Sequence, residues 1–170
     1  YQAWFEQLGV IRVGSLTEMV KTAKWLLYRG SGTAERLGIV TVSGGAGVLL
    51  ADEASQYGLE VPELSAETKE QLSKVLPPIV TAQNPLDLTG QLLGDKSVVR
   101  KTLALFKNEP NIDTLVVFIG LLEHLGDDVI AVFREEQIQS FKNVVFVWLG
   151  APQEVVKELE KMNIPVYGEI

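Results

Sequence analysis

The sequence contains no cysteine and a single histidine, which excludes a disulfide framework, a thiolate metal site and a histidine-rich zinc centre. Absence of cysteine suits a reducing compartment, and a cytoplasmic location is the expectation. Basic runs are missing as well. Fifteen Lys and Arg against 22 Asp and Glu leave a net charge of −7, a field that repels nucleic-acid backbones and anionic membranes, so neither is expected as a partner. An anionic ligand must then be held by local geometry. The longest apolar run, Leu115 to Leu122, is interrupted by Gly120 and falls far short of the roughly 20 residues that cross a bilayer.

What is present describes a folding globular chain: 46% of residues are hydrophobic and 22% charged over 170 residues, the size of one domain with one sizeable core. Residues 1–170 are read as a single domain. The opening Tyr1-Gln-Ala-Trp-Phe-Glu-Gln-Leu-Gly9 reads as the end of an amphipathic helix, and the expectation is a fragment of a larger protein that extends upstream.

Short β-branched runs alternate with longer stretches of three- and four-residue apolar spacing, the pattern of βαβ units. The spacing predicts strands at Val10 to Val13, Leu37 to Val42, Leu59 to Val61, Thr114 to Ile119, Val144 to Trp148 and a closing Val166-Tyr167, mostly apolar on both faces as buried parallel strands must be. Helices are predicted from capping chemistry. Ser15 with Glu18 opens Leu16 to Leu27; Ser65 with Thr68 opens a helix through Val75 that Pro77-Pro78 ends; others cover Lys96 to Lys107, Asp128 to Ser140 and Pro152 to Met162. Arg29 to Thr33 reads as a loop. The predicted fold is α/β: a flavodoxin-like three-layer sandwich around a doubly wound, mostly parallel five-strand sheet, with function at the loops that follow the strands.

Ile39-Val-Thr-Val-Ser-Gly-Gly-Ala-Gly47 passes from a strand through a glycine turn into an apolar helix that runs past Asp52. Such a turn aims unpaired helix amides, and the positive end of the helix dipole, at one point. Gly44, Gly45 and Gly47 let a phosphate approach the backbone, and Ser43 offers a hydroxyl; the competing reading is a tight turn with glycines for close helix–strand packing. No Lys-Ser/Thr follows, which disfavours a P-loop, and Leu50 occupies the third glycine position of a dinucleotide fingerprint, leaving Glu63 as an isolated candidate ribose acid. In the second informative stretch, Asn84-Pro85-Leu86-Asp87-Leu88-Thr89-Gly90, the Asn84 and Asp87 side chains are read as supports that stiffen a loop, together with Thr89 and Gly90, rather than as ligand contacts. His124, Glu123 and Asp127-Asp128 are read as loop and helix-terminus residues, and the three tryptophans as core.

These segments in this order resemble the ADP-forming acetyl-CoA synthetases and related NDP-forming acyl-CoA synthetases that share ancestry with succinyl-CoA synthetase. The resemblance runs from Gly9-Val-Ile-Arg-Val13 and Ser15-Leu16 through Gly44-Gly45-Ala46-Gly47-Val48, Gly58-Leu59, Leu64-Ser65, Leu76-Pro77, Asn84-Pro85 and Ile112-Asp113 to Asn163-Ile164-Pro165-Val166-Tyr167. It implies a ligase module that converts acid, CoA and ATP into acyl-CoA, ADP and phosphate, with Ser43, Gly44, Gly45, Ala46 and Gly47 as one of two helix-terminal cradles for a phosphohistidine. It further implies that ATP or GTP, Mg2+ and CoA are bound by other parts of the parent: a CoA-binding domain, a phosphohistidine-bearing domain and an ATP-grasp domain. The family's histidine lies on a loop before the segment where this chain starts, so His124 is not its counterpart, and no catalytic residue and no metal ligand is expected here. Val42-Ser43 stand where Asn-Ala is common, and Ala46 where Pro is common. Rival readings are a regulatory or binding domain of the same fold and, more distantly, an FMN- or dinucleotide-binding domain.

Overall fold

A computed structural model describes residues 1–29, 34–92, 95–136, 141 and 143–170. In chain order the elements are α1 (Gln2–Gln7), α2 (Leu16–Tyr28), β1 (Leu37–Thr41), α3 (Gly44–Gln56), α4 (Ala66–Val75), β2 (Leu86–Asp87), α5 (Thr89–Leu92) and α6 (Lys96–Lys107). They continue with β3 (Thr114–Ile119), a 3₁₀ turn at Glu123–Leu125, α7 (Gly126–Glu135), β4 (Asn143–Trp148), α8 (Gln153–Lys161) and β5 (Val166–Tyr167).

Five parallel strands form one sheet in the order β2-β1-β3-β4-β5. This is the doubly wound flavodoxin-like order, and it follows from the composition of the central strands: every residue of β1 and β3 is buried, so helices must cover both faces. On one face Leu72 of α4, Leu103 and Phe106 of α6, Val129 and Phe133 of α7 and Leu159 of α8 close over Leu115, Val117, Phe146 and Trp148. The other face is smaller. There Ala46 and Ala54 of α3 pack on Leu37, Ile39, Val116, Phe118 and Val147. α2 is fastened beside β5 by polar contacts, Lys24 Nζ to Val166 O at 2.7 Å and the Tyr167 hydroxyl to Lys21 O at 3.2 Å, and none of its residues is buried.

The helix starts follow the side-chain caps. Ser15 Oγ accepts from Glu18 N–H at 3.1 Å, Ser65 Oγ from Thr68 N–H at 3.2 Å and Asp95 Oδ1 from Ser97 N–H at 3.0 Å. Several expectations are corrected. Val10 to Val13 joins no strand of the sheet. Leu59 to Val61 contributes a single parallel bridge, Glu60 to Arg36, and the strand beside β1 is Leu86–Asp87, inside the stretch read as a loop. Both errors have one cause: strand composition is local, whereas pairing needs a partner that only the fold supplies. α7 begins at Gly126 and ends at Glu135, before the predicted Ser140; residues 137–140, like Gly30 to Thr33 of the predicted loop, lie outside the described residues. Pro152 caps α8 instead of entering its first turn. Of the tryptophans only Trp148 is core; Trp4 is 69% exposed and Trp25 half-buried. Among the described residues no helix is long and apolar enough to cross a membrane.

At the amino-terminal end of the strands the buried Glu109 carboxylate ties α4 to the turn before β3. It accepts from Ser65 N–H at 3.0 Å, Ser65 Oγ at 2.9 Å and Asn111 N–H at 3.1 Å. Burial by itself pushes this carboxyl up, but the hydrogen bonds from Thr68, Asn111 and Ser65 outweigh it and hold the group below its ordinary value of 4.5. A depressed folded value stabilises the native state fully above the unfolded value, and that contribution is lost as pH falls through the folded value. Urea unfolding of the wild type and Glu109→Gln should therefore differ at neutral pH, with the gap narrowing as the pH drops below the ordinary value. A gap independent of pH would show that the charge is not what holds the turn.

Candidate functional site

The glycine turn lies at the C-terminal end of β1, beside β3, where the strand order reverses and an open α/β sheet has its crevice. Thr41, the last residue of β1, shapes it: Thr41 Oγ1 accepts from Ser43 N–H at 3.0 Å and donates to Ser43 O at 3.0 Å. Ser43 is the N-cap of α3, and unlike Ser15, Ser65 and Asp95 it makes no side-chain cap bond. The first helical bond runs from Gly47 N–H to Ser43 O at 3.0 Å, so the amides of Gly44, Gly45 and Ala46 precede it and stand at the positive end of the helix.

The three glycines have different surroundings. A Cβ on Gly44 would lie 3.0 Å from Asp87 Oδ2, and one on Gly47 would lie 3.2 Å from Thr41 Cγ2 and 3.3 Å from Pro85 Cβ. These two glycines permit close packing. A Cβ on Gly45 would meet nothing within 4 Å. Beside the walled flank is a cavity of about 470 Å³ lined by residues including Thr41, Gly44, Asp52, Pro85 and Asp87. Its two carboxylates oppose a phosphate there, which leaves the exposed Gly45 flank as the side from which an anion can reach the amides.

The Asn84 to Gly90 stretch is brought against this turn. Asn84 Oδ1 accepts from Ile39 N–H at 2.8 Å, and its Nδ2 donates to Leu37 O at 2.7 Å and Pro62 O at 2.9 Å. Its side-chain amide thus pairs with β1 much as a strand residue would, adding a rung below the Val40–Leu86 pair. The Asn84-Pro85 peptide is cis. Asp87 Oδ1 accepts from Thr89 N–H at 2.8 Å, and Thr89 itself has a φ of 57°, unusual for a β-branched side chain. Gly90 follows within α5, exposed.

His124 is exposed on the 3₁₀ turn after β3, and Asp127 and Asp128 occupy the first turn of α7, where Asp128 pairs with Lys96 at 2.8 Å. Among the described residues no group of His, Asp and Glu comes together that could hold a metal ion. Thr41 escaped the sequence reading of the site, and Asp52 entered it only as a residue of the helix after the glycine turn. A threonine at a strand's end carries no signal until the turn it braces is seen.

Residues 37–137 match the model of the Ligase-CoA domain, a span that contains the glycine turn and the Asn84 to Gly90 stretch. The chain belongs to this family. The chain is 33% identical over 180 aligned positions to the alpha subunit of acetate–CoA ligase [ADP-forming] II from Pyrococcus furiosus, covering 98% of this chain and 37% of that subunit. It is 35% identical over 122 positions to acetate–CoA ligase [ADP-forming] I from Archaeoglobus fulgidus, covering 70% of the chain and 17% of that protein. The chain thus spans well under half the length of these curated relatives. Among solved structures, a protein of Pyrococcus horikoshii OT3 superposes with a TM-score of 0.82 at 27% identity, over 99% of this chain and 40% of that one. The dinucleotide-forming acetyl-coenzyme A synthetase 1 of Ca. Korarchaeum cryptofilum, solved with phosphate and ADP, superposes at 0.81 with 23% identity over 99% of this chain and 37% of that one, a likeness of fold.

Proposed function

We propose that this Ligase-CoA domain is the phosphate-cradling module of an ADP-forming acyl-CoA synthetase, acting on a short carboxylic acid. The observation that carries the reading is the start of α3: amides of Gly44, Gly45 and Ala46 at a helix N-terminus that Ser43 leaves uncapped, with an open flank at Gly45. Oriented amides in a fixed turn stabilise phosphoryl charge without moving a proton, which suits a module that holds phosphate while other parts deliver it. Asn84, Pro85 and Asp87 keep the turn in place from β2 and the residues before it, and the Thr89 N–H fixes the Asp87 carboxylate. Nucleotide, Mg2+ and CoA belong to the ATP-grasp, phosphohistidine-bearing and CoA-binding parts of the enzyme. The names of the relatives, ADP-forming acetate–CoA ligases, support this chemistry over a purely regulatory role.

The test is an assay of two proteins. The full-length enzyme is expected to form acyl-CoA from acid, ATP and CoA with release of ADP and phosphate, and the 170-residue chain alone to form none. Crystals of the chain grown in phosphate should place an anion within hydrogen-bond reach of the Gly44 to Ala46 amides. Acyl-CoA made by the isolated chain would overturn the module reading.

A further inference from the structure

Helices α3, α4, α6, α7 and α8 each bury apolar side chains against the sheet. α2 does not: none of its 13 residues is buried. Its domain-facing side is Lys21, Lys24, Trp25 and Tyr28, all half-buried and spaced so that they share one face of the helix. The apolar stripe of the same helix, Leu16, Met19, Val20, Ala23, Leu26 and Leu27, is exposed. Hydrophobic burial would turn that stripe toward the sheet, so it is not what holds α2 to this domain. Between Trp25 and the sheet is a hollow of about 370 Å³ lined by Leu37, Leu59, Val116, Val145 and Tyr167, which shows that the helix is not seated on the apolar face beside it.

Polar contacts hold α2 in place, and they converge on Lys24. Its Nζ lies 2.6 Å from Glu160 Oε1, donates to Val166 O at 2.7 Å and stands 5.3 Å from the centre of the Tyr167 ring. Lys21 pairs with Glu169, Lys21 O accepts from the Tyr167 hydroxyl at 3.2 Å, and Tyr28 O accepts from Asn163 Nδ2 at 3.2 Å. β5 is the last strand of the sheet, and Pro165 O accepts from Phe146 N–H of β4 at 2.9 Å. Carbonyls alternate along a strand, so Val166 O points out of the sheet, and the Lys24 ammonium takes the acceptor that a further strand would use.

We propose that α2 is a charge-latched strap, with Lys24 as the latch: it detaches from the domain as one unit and uncovers the outer edge of β5 and the hollow beneath Trp25. Ion pairs between partly exposed groups hold weakly and are screened by salt, the screening length falling to about 3 Å at 1 M. A helix of 13 residues is marginal in water without tertiary contacts, so detachment and unwinding go together. The strap lies on the β5 side of the sheet, away from the glycine turn, and does not depend on the phosphate reading of that turn.

Hydrogen exchange read by mass spectrometry tests this in the full-length protein without any substitution. Raising NaCl from 0.05 to 1 M should speed exchange of the 16–28 amides about tenfold while those of α3 and α8 keep their rates. Exchange in α2 that ignores salt would overturn the proposal, and so would α2 opening only together with α3 and α8, since it would then be part of the global unfolding unit. Lys24→Met supplies the second measurement. It removes the latch but keeps an apolar stem, so α2 should exchange about tenfold faster at low salt with a smaller salt response, and Lys24→Arg should restore the slow rate. Unchanged or slower α2 exchange in Lys24→Met would show that apolar contact, not charge, fastens the helix.

Discussion

Replacing Gly45 by valine is expected to lower acyl-CoA formation by the full-length synthetase by about a hundredfold or more, while the melting temperature of this domain stays where it was. The size follows from what the turn supplies. Losing a single preorganised donor to a developing anion costs about 10²–10³ in rate, and a branched side chain on Gly45 covers the open approach to all three amides. The stability expectation follows from the space around it: a Cβ there meets nothing within 4 Å, and valine is slightly better than glycine in a helix. Gly47→Val is the counterpart. Its Cβ would press on Thr41 Cγ2 and Pro85 Cβ, so it should destabilise the fold by roughly 1–3 kcal/mol through overpacking. A folded Gly45→Val enzyme with ordinary turnover would reduce the glycine turn to packing.

Asn84→Ala should cost about 3 kcal/mol of folding free energy, because it strands the Ile39 amide and the Leu37 and Pro62 carbonyls together. In a chain of this length that corresponds to a fall of roughly 6–12 °C in melting temperature, readable by calorimetry. Asn84→Asp serves as the decisive comparison. It keeps an acceptor for Ile39 N–H but turns an anionic oxygen toward two carbonyls, so it should be no better than alanine. If aspartate restored full stability, the two donated bonds would have no part in joining β2 to β1. The expected loss is large for one polar residue because β2 is only two residues long, and the Asn84 side chain supplies pairing that its backbone does not.

The contrast between β2 and the two runs that resembled strands explains what the chain's own order could convey. Ser15, Ser65 and Asp95 begin helices through bonds to amides two or three residues away, so those starts are legible in the sequence. β1, β3 and β4 are legible because buried parallel strands demand a nearly continuous apolar run rich in β-branched and aromatic residues. Leu86–Asp87 has no such run. It is a strand because Asn84, Pro85 and the glycine turn hold it beside β1, whereas Val10 to Val13 has the run and lacks a partner among the described strands.

The site divides in the same way. That a strand passes through Ser43-Gly-Gly-Ala-Gly47 into a helix, and so aims amides at one point, is a consequence of residue order alone, since glycine placement and helix polarity are local properties. Which glycine faces open space could come only from the tertiary structure. Asp87 stands against Gly44, Thr41 and Pro85 stand against Gly47, and nothing stands against Gly45. Those neighbours are about forty residues distant in sequence or on the preceding strand, and their approach is set by the pairing of β1 with β2.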